Sequence, residues 1–220
     1  MGGAVMIPLA AGYLFAELMM QRKGGRMESR IKPKSIENVK AIRGAEVDHL
    51  LALPNVAAFL RVIRYGETSA DNDKKAYQVL NGGGSFAAPP WNHPGGSRAA
   101  GAYQFMSNAS ANTWDILKKA PNTWDILKKA LNLADFSPVN QDRAALGLIA
   151  WLGALEAVKA GDTRAAYGVL SRPAAWPSLP GGSQCAVYAK MKNRSDGVLL
   201  APEVAADFIY GKWGGRATGN

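Results

Sequence analysis

With 220 residues, 48% of them hydrophobic, the chain is long enough to bury one sizeable core, which excludes disorder throughout. Its 26 Lys and Arg against 17 Asp and Glu leave a net charge of +9, which favours a polyanion such as nucleic acid, an anionic membrane or an acidic cell wall. No basic run is interleaved with aromatics as in a nucleic-acid reading module, so nucleic acid is set aside, and the lone Cys185 excludes an internal disulfide framework.

Within the N-terminal segment 1–21, the stretch from Gly2 to Met20 is apolar apart from Glu17 and is followed at once by Gln21, Arg22 and Lys23. The segment reads either as a weak membrane anchor or as a helix packed on protein. Pro8 and the many Gly and Ala make it weakly hydrophobic for a span, and its basic residues follow the apolar stretch, where a signal peptide carries them in front. That placement would keep the C-terminal side in the cytoplasm. Residues 22–50 are charged and carry Gly24, Gly25 and Pro33 with little periodicity, so they are expected to form a linker.

The core domain is expected over 51–190. Asn55 is placed to cap a helix whose Val56, Phe59, Leu60 and Ile63 recur at three and four residues, and Gly66 is placed to end it. Glu67 then emerges at its last turn. Tyr77, Val79 and Leu80 followed by Asn81 to Gly84 predict a strand and turn of a small β-hairpin running to Phe86. The prolines and glycines from Pro89 to Gly96 predict a loop. Ser137-Pro138 is a helix start, and Ala145, Leu148, Ile149, Leu152 and Leu155 give a wide apolar face to a central helix on which Trp151 is a core residue. Gly161-Asp162 marks a stop and a new start, with Ala165, Ala166, Val169 and Leu170 on the helix that follows. Residues 173–182 form a surface loop carrying Trp176, and 191–220 form a C-terminal extension.

Asn-Thr-Trp-Asp-Ile-Leu-Lys-Lys-Ala occurs at 112–120 and again at 122–130, with Pro121 between. A shift of ten residues turns a helix by about 1000°, roughly 80° short of whole turns, so one continuous helix could not offer both copies to the same core. Pro121 would break it in any case. The second copy is assigned to the structural helix, because it runs without interruption into Leu131, Leu133 and Phe136. The first is expected as a surface insertion or a separate short helix.

Cys185 reads as a buried small hydrophobe. His49 and His93 stand far apart without Cys or Glu at ligand spacing, so no metal site is expected. Glu67 is the residue with chemical promise. A carboxylic acid can protonate the poor leaving oxygen of a glycosidic bond if its surroundings hold its pKa up toward neutrality. Read alone, a Glu after a helix is more often a solvated terminal residue.

The string from Phe59 through Arg64-Tyr65-Gly66-Glu67-Thr68 resembles the catalytic segment of the lambda-type phage endolysins, members of the lysozyme-like superfamily. The likeness continues in order through Tyr77-Gln78-Val79-Leu80-Asn81-Gly82-Gly83, His93-Pro94, Gly101-Ala102-Tyr103-Gln104, Thr-Trp-Asp, Asp135-Phe136-Ser137-Pro138, Gln141-Asp142 and Trp176-Pro177-Ser178-Leu179-Pro180-Gly181. It covers about residues 55–190. The duplicated segment and the N-terminal region depart from the pattern.

The resemblance implies an α+β, mainly helical lysozyme-like fold with a small β-hairpin subdomain. It implies cleavage of the β-1,4 bond between N-acetylmuramic acid and N-acetylglucosamine in peptidoglycan, in the periplasm or wall of a host bacterium, by a monomer without cofactor. Glu67 would be general acid and then general base, with Tyr103 and Gln104 lining the saccharide groove. Tyr103 reads equally as core, Ser97 could hydrogen-bond sugar or the Glu67 carboxyl, Gly101 resembles a groove-backbone position, and His93 reads either as a substrate contact or, more safely, as a loop histidine fixed by Pro94. Trp91 and Trp176 offer loop aromatics that could stack on sugar rings. Members similar to lambda endolysin are lytic transglycosylases, whose substrate supplies its own nucleophile, so one carboxyl suffices. Asp71 and Asp73 leave a hydrolytic mechanism open, and a virion or tail component that only binds wall is the alternative of a different class.

Overall fold

The computed structural model describes residues 34–69, 73–78, 99–106, 123–172, 175–193 and 197–218, all within the compact unit Ile31–Asn220. Among them the order is α1 (Ile36–Lys40), α2 (Ala45–Leu51), α3 (Pro54–Thr68), α4 (Asp73–Tyr77), β1 (Ala99–Ala100), β2 (Phe105–Met106), α5 (Thr123–Leu131), α6 (Pro138–Trp151), α7 (Leu155–Ala160), α8 (Thr163–Leu170), α9 (Ala186–Ala189) and α10 (Pro202–Lys212). The two strands pair antiparallel, Ala99 opposite Met106 and Ala100 opposite Phe105.

Helix α6 is the hub. Every residue from Ala144 to Ala150 is buried, as expected of a helix surrounded by others, and it packs against α1, α2, α3, α5 and α7. Pro138 occupies its first turn after Ser137, the start the sequence predicts. A side chain at Gly147 would meet Leu131 Cδ1 at 2.9 Å and Leu127 Cδ2 at 3.0 Å, so α5 can approach closely only because that position is bare. The second copy of the repeat supplies α5, with Trp124, Leu127 and Leu131 buried. Trp124 packs edge-on to Phe136 at 4.7 Å between centroids and 5.5 Å from Phe105, which ties α5 to the strand pair. The first copy, 112–120, lies outside the described residues.

Gly161 closes α7 in the left-handed conformation, and the Asp162 carboxylate accepts from the Ala165 N–H at the start of α8. Beyond α10 the chain folds back over this corner. The Thr218 N–H donates to Gly161 O at 2.8 Å and its hydroxyl to Ala160 O. Asn55 accepts from the Arg216 N–H at 2.9 Å and donates to Lys159 O at 3.0 Å.

Several expectations are corrected. Residues 36–51 are not linker: they form α1, a turn and α2, and Val39 of α1, Ile42 of the turn, and Val47 and Leu50 of α2 enter the core, so four apolar side chains outweigh the charged surface between them. The segment 191–220 is not peripheral either, since α10 lies on α3 with Ala205, Ala206, Ile209 and Tyr210 buried. Tyr77 ends a helical turn and not a strand, while the rest of the expected hairpin, 79–86, lies outside the described residues. The strand pair that is described spans the turn 101–104 instead. Asn55 lies inside α3 and Leu53 holds the cap position. Trp151 is half-buried under the Lys34 ammonium, Cys185 is half-buried at the start of α9, and Trp176 is 1% exposed. No helix among the described residues is long and apolar enough to cross a membrane; the expected anchor, 1–21, lies outside them.

Candidate active site

Helix α3 carries Glu67 in its last turn. The helix runs two residues past Gly66 and closes where Ser69 enters the left-handed region, its N–H donating to Tyr65 O at 2.9 Å, while the Thr68 hydroxyl donates to Arg64 O. Gly66 therefore does not stop the helix. It opens space: a Cβ there would fall 2.9 Å from Ser178 Oγ and 3.2 Å from Tyr188 Cε2.

Through that gap the loop between α8 and α9 reaches the carboxyl. The Ser178 hydroxyl donates to Glu67 Oε1 at 2.5 Å, and the Ser178 backbone N–H donates to the same carboxyl. Burial raises the Glu67 pKa from its ordinary 4.5 to about 7, against the pull of these Ser178 hydrogen bonds. Removal of the carboxylate from water thus outweighs two donors that favour it. The result is a group that can give and regain a proton near neutrality.

One turn back on α3, Arg64 points into a buried polar cluster. Its guanidinium donates to Tyr103 Oη at 2.7 Å and lies 3.4 Å from Asp142 Oδ1. Asp142 Oδ1 also accepts from Tyr77 Oη at 2.6 Å and from Tyr103 Oη. Burial works against the Arg64 charge, but the surrounding oxygens of Tyr103, Asp142 and Tyr77 outweigh it and raise its pKa. Burial, followed by the Asp142 charge, raises that of Tyr103. The cluster locks α3, α4, α6 and the turn 101–104 together behind the acid.

Of the residues expected at the saccharide, Tyr103 is core, 1% exposed and packed by Trp176 at 6.3 Å, so its side chain supports the site from within. Gly101 (φ +73°) stands where a Cβ would meet Gln141 Oε1 at 2.1 Å, and that oxygen accepts from the Ala102 N–H. Gln104 also has positive φ, 46°, and its amide donates back to Gly101 O at 2.8 Å. Trp176 donates its indole N–H to Tyr103 O and stacks on protein, not in an open groove. His93, Ser97, Trp91 and Asp71 lie outside the described residues, as does the Asp73 side chain. Sequence reasoning missed Ser178, Arg64 and Asp142 as site partners; Ser178, between two prolines in a loop, gave no local sign of contact with a helix 111 residues earlier. Among the described residues no group of three or more His, Cys, Asp or Glu gathers to hold a metal ion.

The family model described as Endolysin matches residues 57–201, from the first turn of α3 to the threshold of α10. The chain belongs to the endolysin family. The endolysin of Escherichia phage lambda is 32% identical over 155 residues, 64% of this chain and 85% of that protein. The solved structure of bacteriophage lambda lysozyme complexed with a chitohexasaccharide matches with a TM-score of 0.52 and 26% identity, over 75% of this chain and 97% of that one. This endolysin thus has the lysozyme-like fold, mainly helical with a minimal strand pair, and α1, α2 and α10 lie beyond the span that the family model matches.

Proposed function

We propose that this endolysin cleaves the β-1,4 bond between N-acetylmuramic acid and N-acetylglucosamine in the peptidoglycan of a host bacterium, as a lytic transglycosylase with Glu67 as its acid and base. The observation that carries the reading is a half-buried carboxyl whose pKa is raised to about 7, held at the end of a rigid helix. Protonated Glu67 gives its proton to the leaving glycosidic oxygen as the bond to C1 breaks. The carboxylate then takes the proton of the muramic acid C6 hydroxyl as that oxygen closes on C1, which restores the acid and leaves a 1,6-anhydro end. The substrate provides the nucleophile, so the step needs no second carboxylate to activate water. The lambda lysozyme match, solved with a chitohexasaccharide, supports a glycan as the substrate class. The net charge of +9 supports retention on an acidic wall.

Wall material digested by the purified protein should release muropeptides lighter by one water than hydrolytic products, and Glu67→Gln should release none. Reducing ends would overturn the transglycosylase reading in favour of hydrolysis. Equal release by Glu67→Gln would overturn the role of Glu67, and no release by either protein would leave a wall-binding component.

A further inference from the structure

Ser178 is 5% exposed and is fixed by its neighbours before it meets Glu67. Leu179 beside it is fully buried, Trp176 is anchored by its indole on Tyr103 O and by its own N–H on Leu170 O, and Pro177 O accepts from the Gln184 N–H. On the far side Tyr188 donates to Val62 O at 2.5 Å and lies against Gly66. The serine is thus presented to the carboxyl by a loop with little freedom of its own.

We infer that Ser178 is the positioning residue of Glu67, its hydroxyl holding Oε1 so that the carboxyl keeps one rotational setting. An oxygen that accepts a hydrogen bond from a serine is a poor place for a second proton, so this contact biases where the carboxyl carries its own. A carboxyl that rotated freely would present either oxygen and lose part of the advantage of fixed geometry. This inference rests on the proposed role of Glu67. Among the described residues, Tyr188, Tyr65 and Arg64 have contacts of their own. Burial raises the pKa of the Tyr188 hydroxyl, which is spent on Val62 O; the Tyr65 ring is turned to Tyr188 at 6.0 Å, and Arg64 is engaged by Tyr103 and Asp142.

The inference is tested by Ser178→Ala with Ser178→Thr and the near-isosteric Ser178→Cys beside it, read by the pH profile of kcat/KM on peptidoglycan and by carbon NMR titration of the Glu67 carboxyl. Losing the hydroxyl removes a donor that favours the carboxylate, so in Ser178→Ala the alkaline limb and the NMR midpoint should both move up by about one pH unit. The acid-side plateau should fall about tenfold. Cys, a weaker donor, should fall between Ala and wild type, and Thr should restore the wild-type midpoint. An unchanged midpoint in folded Ser178→Ala or Ser178→Cys overturns the inference while leaving the role of Glu67 intact. Full activity of Glu67→Gln would instead overturn the proposed function, and this inference with it.

Discussion

Glu67 stores instability as well as chemistry. Its pKa rises from 4.5 in an exposed chain to about 7 in the fold, so the folded state holds the proton more tightly than the unfolded one. The associated stability is fully present below about pH 4.5 and is lost as pH rises through about 7, amounting to about 3 kcal/mol in all. Glu67→Gln removes the charge and leaves an oxygen to accept from Ser178. Denaturant melts should therefore find Glu67→Gln equal to wild type at pH 4 and more stable by up to about 3 kcal/mol at pH 8; equal stability at both would show that burial does not oppose the carboxylate. Glu67 stood out in the sequence as a candidate because an apolar helix ends at a Glu beside Gly66, within a string that resembles the endolysins, and its place at the end of α3 is the part that was legible. Its partner was not. Ser178 gains its role from a loop folding back onto α3, a relation between distant segments that no local pattern encodes.

Between residue and molecule, the turn joining β1 to β2 and its clamp on α6 decide whether the site has a firm back wall. Gln141 is fully buried; it accepts from the Ala102 N–H at 2.9 Å and donates to Phe136 O at 2.8 Å, so one side chain ties the turn to the approach to α6. Gly101 is the position that admits it. Gly101→Ala would combine an unfavourable φ with a Cβ 2.1 Å from Gln141 Oε1 and 2.9 Å from Phe136 Cζ, and should cost about 3 kcal/mol by chemical denaturation. Gly168→Ala on α8, where nothing lies within 4 Å, should instead be neutral or stabilise by up to about 1 kcal/mol. Similar losses from both would mean that the clamp is not the cause. The starts of α6 and α8 were legible because Ser137-Pro138 and Gly161-Asp162 are local punctuation. Helices α1 and α2 were hidden by their charged residues, and α4 by a tyrosine that favours strands when read without its neighbours.

For the molecule as a whole, the duplicated segment poses a question of economy. One copy forms α5 and packs on α6 and β2, which accounts for Trp124 and Leu127 in the core. Deleting residues 112–121 keeps every residue of α5 and joins Ala111 to Asn122. We expect stability within about 1 kcal/mol of the parent, because shortening a connection by ten residues changes its closure entropy little. Wall cleavage should survive, and a loss beyond about 3 kcal/mol would show that the first copy is part of the folded unit. The order of the chain carries one more implication. The helix bearing the acid is covered by α10, Phe59 meets Tyr210 edge to face at 6.5 Å, and its first turn is tied to Arg216. The segments that finish this helix therefore follow it far along the chain, and until they have been synthesised and packed, the arm that carries Glu67 is open on one side.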